Sequence, residues 1–214
     1  LSSSSAASDV YKRQLLSTAY LAPISYYAIL LKQNNSMIEY HEHFIKKSIR
    51  NRCDIMNTNG RLSLSIPINS KKKSQTKISN IKISYAENWQ KNHWKSIISS
   101  YNSSPFFEYY KDKLKPYFLK KEDYLIDFNN NLQKEILALL KIKFTNTYNS
   151  IYNRTGDFTD LRDNNAIKIN TIKYDQVFME KHKFINNLSI IDLLFNMGPE
   201  SLDYLHQLQI KINI

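Results

Sequence analysis

The chain has 214 residues, of which 42% are hydrophobic and 23% charged, and this ordinary globular composition excludes wholesale disorder. No apolar stretch approaches the roughly 18 residues that a membrane-spanning helix needs, and one cysteine excludes a disulfide framework and fits a reducing compartment. The formal net charge of +11 first suggests a nucleic-acid-binding protein. Nearly all the basic residues are lysine, however, which is the residue that an AT-rich genome tends to encode at permissive surface positions. Nucleic-acid sites favour arginine, and the arginines of this chain form no stripe. An anionic small substrate, such as a nucleotide or a phosphosugar, is also compatible with this charge.

Residues 1–14 read LSSSSAASDVYKRQ and resemble the translated read-through of a sequencing adapter, a string that recurs at the ends of metagenomic reading frames. The segment lacks the apolar core of a secretory signal. We therefore predict that residues 1–14 are a non-native leader, that one domain spans residues 15–208, and that the tail 209–214 frays.

The N-terminal part predicts a strand, a helix and a second strand. Leu15–Ala19 is an apolar run typical of a buried strand, and Pro23 fits the first turn of a helix whose apolar residues recur through Leu31. Met37–Tyr40 predicts the second strand, paired in parallel with the first. The N-terminus of this helix could hold a phosphate, but no Rossmann or Walker fingerprint is present, and an ordinary strand-to-helix turn is the simpler interpretation.

The middle of the chain predicts an antiparallel meander. Asn59-Gly60 is a typical tight turn between strands over residues 48–55 and 61–68, and a third strand is expected over residues 78–85. Lys71–Lys73, the densest lysine run, is then a solvated loop tip. The second half is mostly helical, with helices predicted to begin at Asn88 and Pro105 and to span residues 123–142, 189–196 and 199–205, and with a long loop over residues 148–169. The predicted fold is a single α/β domain with an N-terminal βαβ unit, a central antiparallel meander and a mostly helical C-terminal half.

Several motifs, in this order, resemble one family from Leu15 to about His206. They read TAYLAP at residues 18–23, HE at 41–42, SIRNRC at 48–53, LSLSIP at 62–67, NWQKNHW at 88–94, YNSSPFF at 101–107 and LSIIDLLFN at 188–196. The set resembles the WbqC-like proteins in the form common among Bacteroidetes, although Ser17 and Ala22 stand where that pattern has proline. The resemblance implies a bacterial cytoplasmic protein, often encoded among genes for surface polysaccharide including O-antigen. It also implies a transferase acting on an activated sugar or on an acyl or aminoacyl donor, with no catalytic residue set to carry over.

The most promising site in the sequence is Arg50-Asn51-Arg52. If this segment is a strand, Arg50 and Arg52 share one face, where two guanidinium groups must meet solvent, carboxylates or an anion. With Lys91 and His93 on a nearby helix they could clamp a phosphate or a carboxylate. Pairing with acids is the open alternative, and the candidates are Glu39, Glu42, Glu87 and Asp192. The predicted substrate-binding residues are Tyr20, Arg50, Asn51, Arg52, Lys91 and Trp94.

Two histidines are predicted to act as catalytic acids or bases. His41 and His93 are the candidates because imidazole exchanges protons near neutral pH, although His93 could also be a satisfied core residue. His41, His43 and His93 could together form a three-nitrogen metal site, but loop histidines in contact with water are the commoner outcome, and we predict no metal. The aromatic block around Trp89 and Trp94 could stack on a base or sugar, or simply form core.

The sequence therefore predicts a cytoplasmic transferase of surface-polysaccharide biosynthesis that binds an anionic activated donor, such as a nucleotide-sugar or an acyl donor. The alternative is a non-catalytic ligand- or partner-binding protein of the same pathway, and a nucleic-acid-binding protein is the third hypothesis. No particular cofactor is indicated.

Overall fold

The structure is a computed structural model, and it describes residues 13–32, 36–69, 76–143, 147–148, 152 and 158–212. The strands are β1 (Arg13–Ser17), β2 (Ser36–Glu39), β3 (Arg52–Asn57), β4 (Gly60–Ser65), β5 (Ile68–Asn69), β6 (Lys82–Ile83), β7 (Thr147–Tyr148), β8 (Phe158–Asp160), β9 (Ile167–Ile169) and β10 (Ile210–Ile212). The helices are α1 (Ile24–Lys32), α2 (Trp89–Tyr101), α3 (Phe107–Leu114), α4 (Leu125–Leu139), α5 (Met179–His182), α6 (Ile190–Met197) and α7 (Ser201–Gln207). Short 3-10 turns lie at Ile78–Asn80, Lys115–Phe118, Asn164–Ala166 and Gly198–Glu200. The predicted loop tip Lys71–Lys73 lies outside the described residues.

Four strands form a parallel sheet in the order β7-β2-β1-β8. The predicted βαβ unit is confirmed, because β1 and β2 pair in parallel and α1 connects them. The strand β1 begins at Arg13, so Arg13 and Gln14, which we had assigned to the leader, belong to the sheet. The strand β8 lies inside the predicted loop 148–169 and pairs with β1, which corrects that prediction.

The antiparallel strands form separate two-stranded ribbons instead of one meander. In the hairpin β3–β4, Asn57 pairs with Gly60 across the turn, and Gly60 takes a φ of 97° that favours glycine. The strand β5 pairs with β6, and the expected start of a third strand at residues 78–80 is a 3-10 turn. The β3–β4 ladder ends at Arg52, and the Ile66 N–H just beyond β4 still donates to the Asn51 carbonyl at 2.8 Å. The predicted strand over residues 48–55 begins only at Arg52, because residues 49–51 form turns.

The helical second half is confirmed, with α2, α3, α4, α6 and α7 close to their predicted positions. The tail that we expected to fray contains β10, which pairs antiparallel with β9. One hydrophobic core joins all these parts, and α1 lies inside it, since every residue from Ile24 to Leu30 is buried. Within the described ranges, no helix combines the length and the apolarity needed to cross a bilayer.

Candidate functional site at the carboxyl edge of the parallel sheet

The carboxyl ends of β1, β2 and β8 meet at one edge of the sheet, at Ser17, Glu39 and Asp160. From β1 the chain crosses to β2 on one side of it, whereas the later strand β8 pairs with β1 on its other side. The direction in which strands are added to the sheet therefore reverses at β1. Open α/β sheets bind ligands in the crevice beyond the carboxyl ends at such a reversal. The fold therefore indicates this edge as the place to look for a site.

Two cavities lie at this edge. The edge cavity, about 820 Å³, is lined by residues between Glu42 and Arg50, by Tyr152, and by residues between Asp160 and Asn165. The side cavity, about 430 Å³, is lined by parts of the β1–α1 turn, the start of β3, Arg61 and residues between 186 and 189. Both cavities share four lining residues: Lys47, Ser48, Ile49 and Asn165. Volumes of this size are typical of small-molecule sites.

Arg50 is not exposed beside Arg52 but forms a buried ion pair. It lies in the turn before β3, where its Nε donates to Glu42 Oε1 at 2.7 Å and its Nη2 donates to Oε2 at 2.5 Å. Burial raises the pKa of the Glu42 carboxyl, although Arg50 opposes that shift. Of the alternatives left open by the sequence, the structure therefore shows acid pairing at Arg50, and the prediction that Arg50 and Arg52 share a strand face is wrong.

A second arginine, Arg162, lies at the end of β8 and was missed in the sequence. Its Nε donates to Asp160 Oδ1 at 2.9 Å, its Nη2 donates to Oδ2 at 2.5 Å, and its Nη1 lies 3.9 Å from Glu39 Oε2. Partial burial acts to raise the pKa of Asp160, but the hydrogen bonds from Arg162 outweigh it and the pKa lies below its usual value. The Arg162 guanidinium also lies over the Tyr152 ring, and Glu39 accepts the His41 backbone N–H at 2.8 Å.

Amide side chains of α4 lie beneath this edge. Asn129 donates to the Arg50 carbonyl at 2.8 Å and to Thr18 Oγ1 at 3.3 Å, and Asn130 donates to the Tyr40 hydroxyl. Several buried polar atoms here have no hydrogen-bond partner within the described part of the chain: Ser17 Oγ, Asn129 Oδ1, Asn130 Oδ1 and Gln133 Nε2. One signal for these residues is visible in the sequence, since three amides occupy an otherwise apolar face of a helix.

The N-terminus of α1 does not offer amides to a ligand. The Ile24 N–H donates to the Leu188 carbonyl at 3.0 Å, and the Ser25 N–H donates to Asn187 Oδ1 at 2.9 Å. The alternative of an ordinary strand-to-helix turn is therefore the correct one.

His93 belongs to a buried pair with Tyr20. The Tyr20 hydroxyl lies 2.9 Å from His93 Nδ1, and the two rings stack. Burial lowers the pKa of His93 to about 4, although a hydrogen bond with the Ser65 backbone opposes the shift. That bond leaves Nδ1 free to accept from Tyr20, so His93 is neutral and only 7% exposed. The structure thus favours the core interpretation of His93.

The remaining predicted substrate-binding residues lie in two places: Asn51 in the turn before β3, and Lys91 and Trp94 on α2. Asn51 ties the turn before β3 to the end of β4 through its Nδ2, which donates to the Ile66 carbonyl at 2.9 Å. Lys91 is exposed on α2, and Trp94 packs on Phe118 and Phe107. Lys91 and His93 line neither cavity, whereas Arg50 lines the edge cavity and Arg52 the side cavity, and joint binding of one anion by these four residues stays a prediction.

The histidines do not assemble a metal site. His41 is half-buried in the segment that follows β2, and His43 is exposed and lines the edge cavity. Among the residues that the structure describes, no group of three or more His, Cys, Asp or Glu could hold a metal ion. The three-histidine hypothesis therefore finds no support.

Asp192, one of the acids that could pair with Arg50 or Arg52, pairs with neither of them in the described part of the chain. It is fully buried in α6 and accepts hydrogen bonds from the Tyr101 hydroxyl at 2.8 Å, the Tyr174 hydroxyl at 2.5 Å and Gln176 Nε2 at 2.8 Å. Burial raises the pKa of this carboxyl, and the hydrogen bonds oppose the shift. The network joins three parts of the core and lies away from both cavities' linings.

The sheet order and the cavity linings define an α/β protein with two cavities at the carboxyl edge of its parallel sheet. The profile of the WbqC-like protein family matches residues 18–169 and 162–204, and the chain belongs to that family. It is similar to the uncharacterized protein Rv1507c of Mycobacterium tuberculosis (strain ATCC 25618 / H37Rv), with 24% identity over 226 residues covering 91% of this chain and 97% of that relative. No solved structure gives a significant match. The family resemblance carried by the sequence motifs is confirmed.

Proposed function

We propose that this WbqC-like protein is a cytoplasmic transferase of bacterial surface-polysaccharide biosynthesis, of the O-antigen type, that binds an anionic activated donor. The donor is a nucleotide-sugar or an acyl donor, and it occupies the joined edge and side cavities. The observation that supports this best is the reversal of strand order at β1, with both cavities placed at that edge. Two adjoining cavities suit a reaction that brings a donor and an acceptor together.

Within this proposal, His43 in the segment that follows β2 carries the proton. His43 lines the edge cavity and His41 lies two residues before it, held through its backbone by Glu39. An imidazole there is the natural general base for an acceptor hydroxyl. His93, which we also predicted to be catalytic, instead positions Tyr20. The Tyr20 backbone N–H donates to the carbonyl of Ile49 at 2.8 Å, in the turn before β3.

A non-catalytic binding protein of the same pathway is the second candidate. The pairing of Arg50 with Glu42 and of Arg162 with Asp160 favours it, because these carboxylates are already occupied and poorly suited to act as bases. Such a protein would bind the donor without turning it over.

Panels of nucleotide-sugars and acyl donors, offered to the purified protein with saccharide acceptors, test the proposal. We expect a donor to raise the melting temperature and to be consumed. His43→Gln should abolish turnover and preserve the thermal shift, while His206→Gln, which changes an exposed histidine on α7, should leave both intact. A thermal shift without turnover supports the binding protein, and no shift with any donor contradicts both candidates.

A further inference from the structure

We infer that the side cavity is an anion subsite that holds a phosphate or pyrophosphate group through Arg52. This group is common to nucleotide-sugars and to phosphorylated acyl donors. The inference rests on the proposed function for the identity of the whole ligand, but the subsite itself follows from the charges and contacts below.

The lining of the side cavity carries an excess of positive charge. Three cations, Lys47, Arg52 and Arg61, line it together with one carboxylate, that of Asp54. Both oxygens of Asp54 already have partners, because Arg61 Nη1 donates to Oδ2 at 3.0 Å and the Ser63 hydroxyl bonds Oδ1. Asp54 is therefore paired with Arg61, and no ion pair joins it to Arg52 among the described residues.

Of the two arginines in this lining, Arg61 is paired with Asp54, whereas Arg52 has no hydrogen-bond or ion-pair partner among the described residues. Arg52 is half-buried at the first position of β3. A half-buried guanidinium has lost part of its hydration and gains from a ligand that restores its hydrogen bonds. Phosphate oxygens match the fork of N–H donors that arginine presents.

The polar groups around Arg52 fit a bound ligand as well. Asn186 also lines the cavity, and its buried Oδ1, an acceptor with no partner among the described residues, suits an O–H or N–H donor of the ligand and not the phosphate oxygens. Leu21, Lys47 and Asn187 line the same cavity and are three of the six non-glycine residues with positive φ in the described ranges. Backbone held in this sparsely populated region concentrates at binding sites.

The edge cavity differs in a way that orients the ligand. Its two arginines, Arg50 and Arg162, are each paired with a carboxylate, so they attract an added anion weakly. The anionic end of the donor therefore lies on Arg52, and the group to be transferred extends past Ser48 into the edge cavity, toward His43.

Calorimetric titration with inorganic pyrophosphate at low ionic strength tests the subsite. We expect the wild-type protein to bind it and Arg52→Gln to weaken binding by about 10- to 100-fold, the loss of charge-assisted hydrogen bonds. Arg52→Lys should recover part of the affinity. The matched control is Lys168→Gln, which removes an exposed positive charge on β9 and should change affinity less than about twofold.

Several results would overturn the subsite: no pyrophosphate binding by the wild type, unchanged affinity in Arg52→Gln, or an equal loss in Lys168→Gln. If Arg52→Gln does not fold, Lys47→Gln replaces it in the test. Lys47 is exposed and lines both cavities, so a smaller loss of pyrophosphate affinity is expected. The two proposals fail separately. Pyrophosphate binding through Arg52 without turnover of any donor contradicts only the transferase, whereas turnover that Arg52→Gln leaves unchanged contradicts only the subsite.

Discussion

Arg50 and Arg52 are two positions apart in the sequence, yet they have opposite roles in the structure. Arg50 is 2% exposed and paired with Glu42, which is 4% exposed, whereas Arg52 reaches the side cavity. A strand through both residues would have put them on one face, but the turn at residues 49–51 intervenes. The list of acids that could pair with Arg50 was predictable from the sequence. Which of them does so depends on a turn that local patterns did not reveal.

Arg50→Ala should lower the free energy of unfolding by about 3–5 kcal/mol, because it leaves the buried Glu42 carboxylate without its ion-pair partner. Arg61→Ala removes an arginine from a largely exposed pair with Asp54 and should cost about 0–1 kcal/mol. Urea denaturation of the two variants measures both values. Equal losses would show that burial does not distinguish the two pairs.

His93 should make stability depend on pH. Its pKa of about 4 in the folded protein lies below the ordinary value of 6.5, so between these pH values the unfolded chain binds a proton that the folded chain does not. The free energy of unfolding therefore falls as the pH falls from 7, and protonation of His93 accounts for a loss of about 3 kcal/mol near pH 4. Urea unfolding from pH 7 to pH 4.5 should show a shallower decline in His93→Gln than in the wild type. Parallel curves would contradict the shift.

At the scale of elements, the Asp192 network fastens helices to the hairpin. The Tyr101 hydroxyl at the end of α2 donates to Asp192 on α6 and also accepts the Met56 N–H of β3 at 3.1 Å. Tyr174, from the segment before α5, donates to the same carboxylate. One buried acid therefore holds together elements that are distant in sequence.

Tyr101→Phe should destabilise the protein by about 1–3 kcal/mol, since it leaves one oxygen of Asp192 and one backbone N–H buried without a hydrogen bond. Tyr109→Phe is the matched control, because Tyr109 is 77% exposed on α3 and should change stability by less than about 0.5 kcal/mol. Thermal and chemical denaturation measure the two. If Tyr101→Phe leaves the stability unchanged, a water molecule replaces the hydroxyl and the prediction is wrong.

The elements also show what local patterns can and cannot predict. Helix α4 was predictable because its apolar residues recur at helical spacing and are buried as expected, for example Phe128 and Leu132. Strands of two or three residues, such as β7 and β8, are too short for an alternating pattern to identify them. They are defined by their pairing, of β7 with β2 and of β8 with β1. The carboxyl-edge site depends on β8, so its acids and Arg162 could not be located from the sequence.

At the scale of the whole molecule, the net charge of +11 is dispersed, and the arginines at the carboxyl edge are mostly paired. We therefore expect duplex DNA to bind only non-specifically, with a dissociation constant of about 10⁻⁴–10⁻⁶ M that rises steeply with salt. Fluorescence anisotropy with two unrelated duplexes, at several salt concentrations, measures this. Tight binding to one duplex that persists at high salt would contradict a small anionic ligand as the partner.

The position of β8 in the chain affects how the protein folds. Leu15 pairs with Asp160, so the inner strand β1 meets its second neighbour, β8, only after most of the chain has been synthesised. Closing so long a loop is entropically costly, and pairings between distant segments slow folding. During translation the early strands must wait, with the flank of β1 uncovered, until residues 158–160 leave the ribosome. The carboxyl edge is therefore assembled late, and a polypeptide released before that point has no complete pocket with which to act.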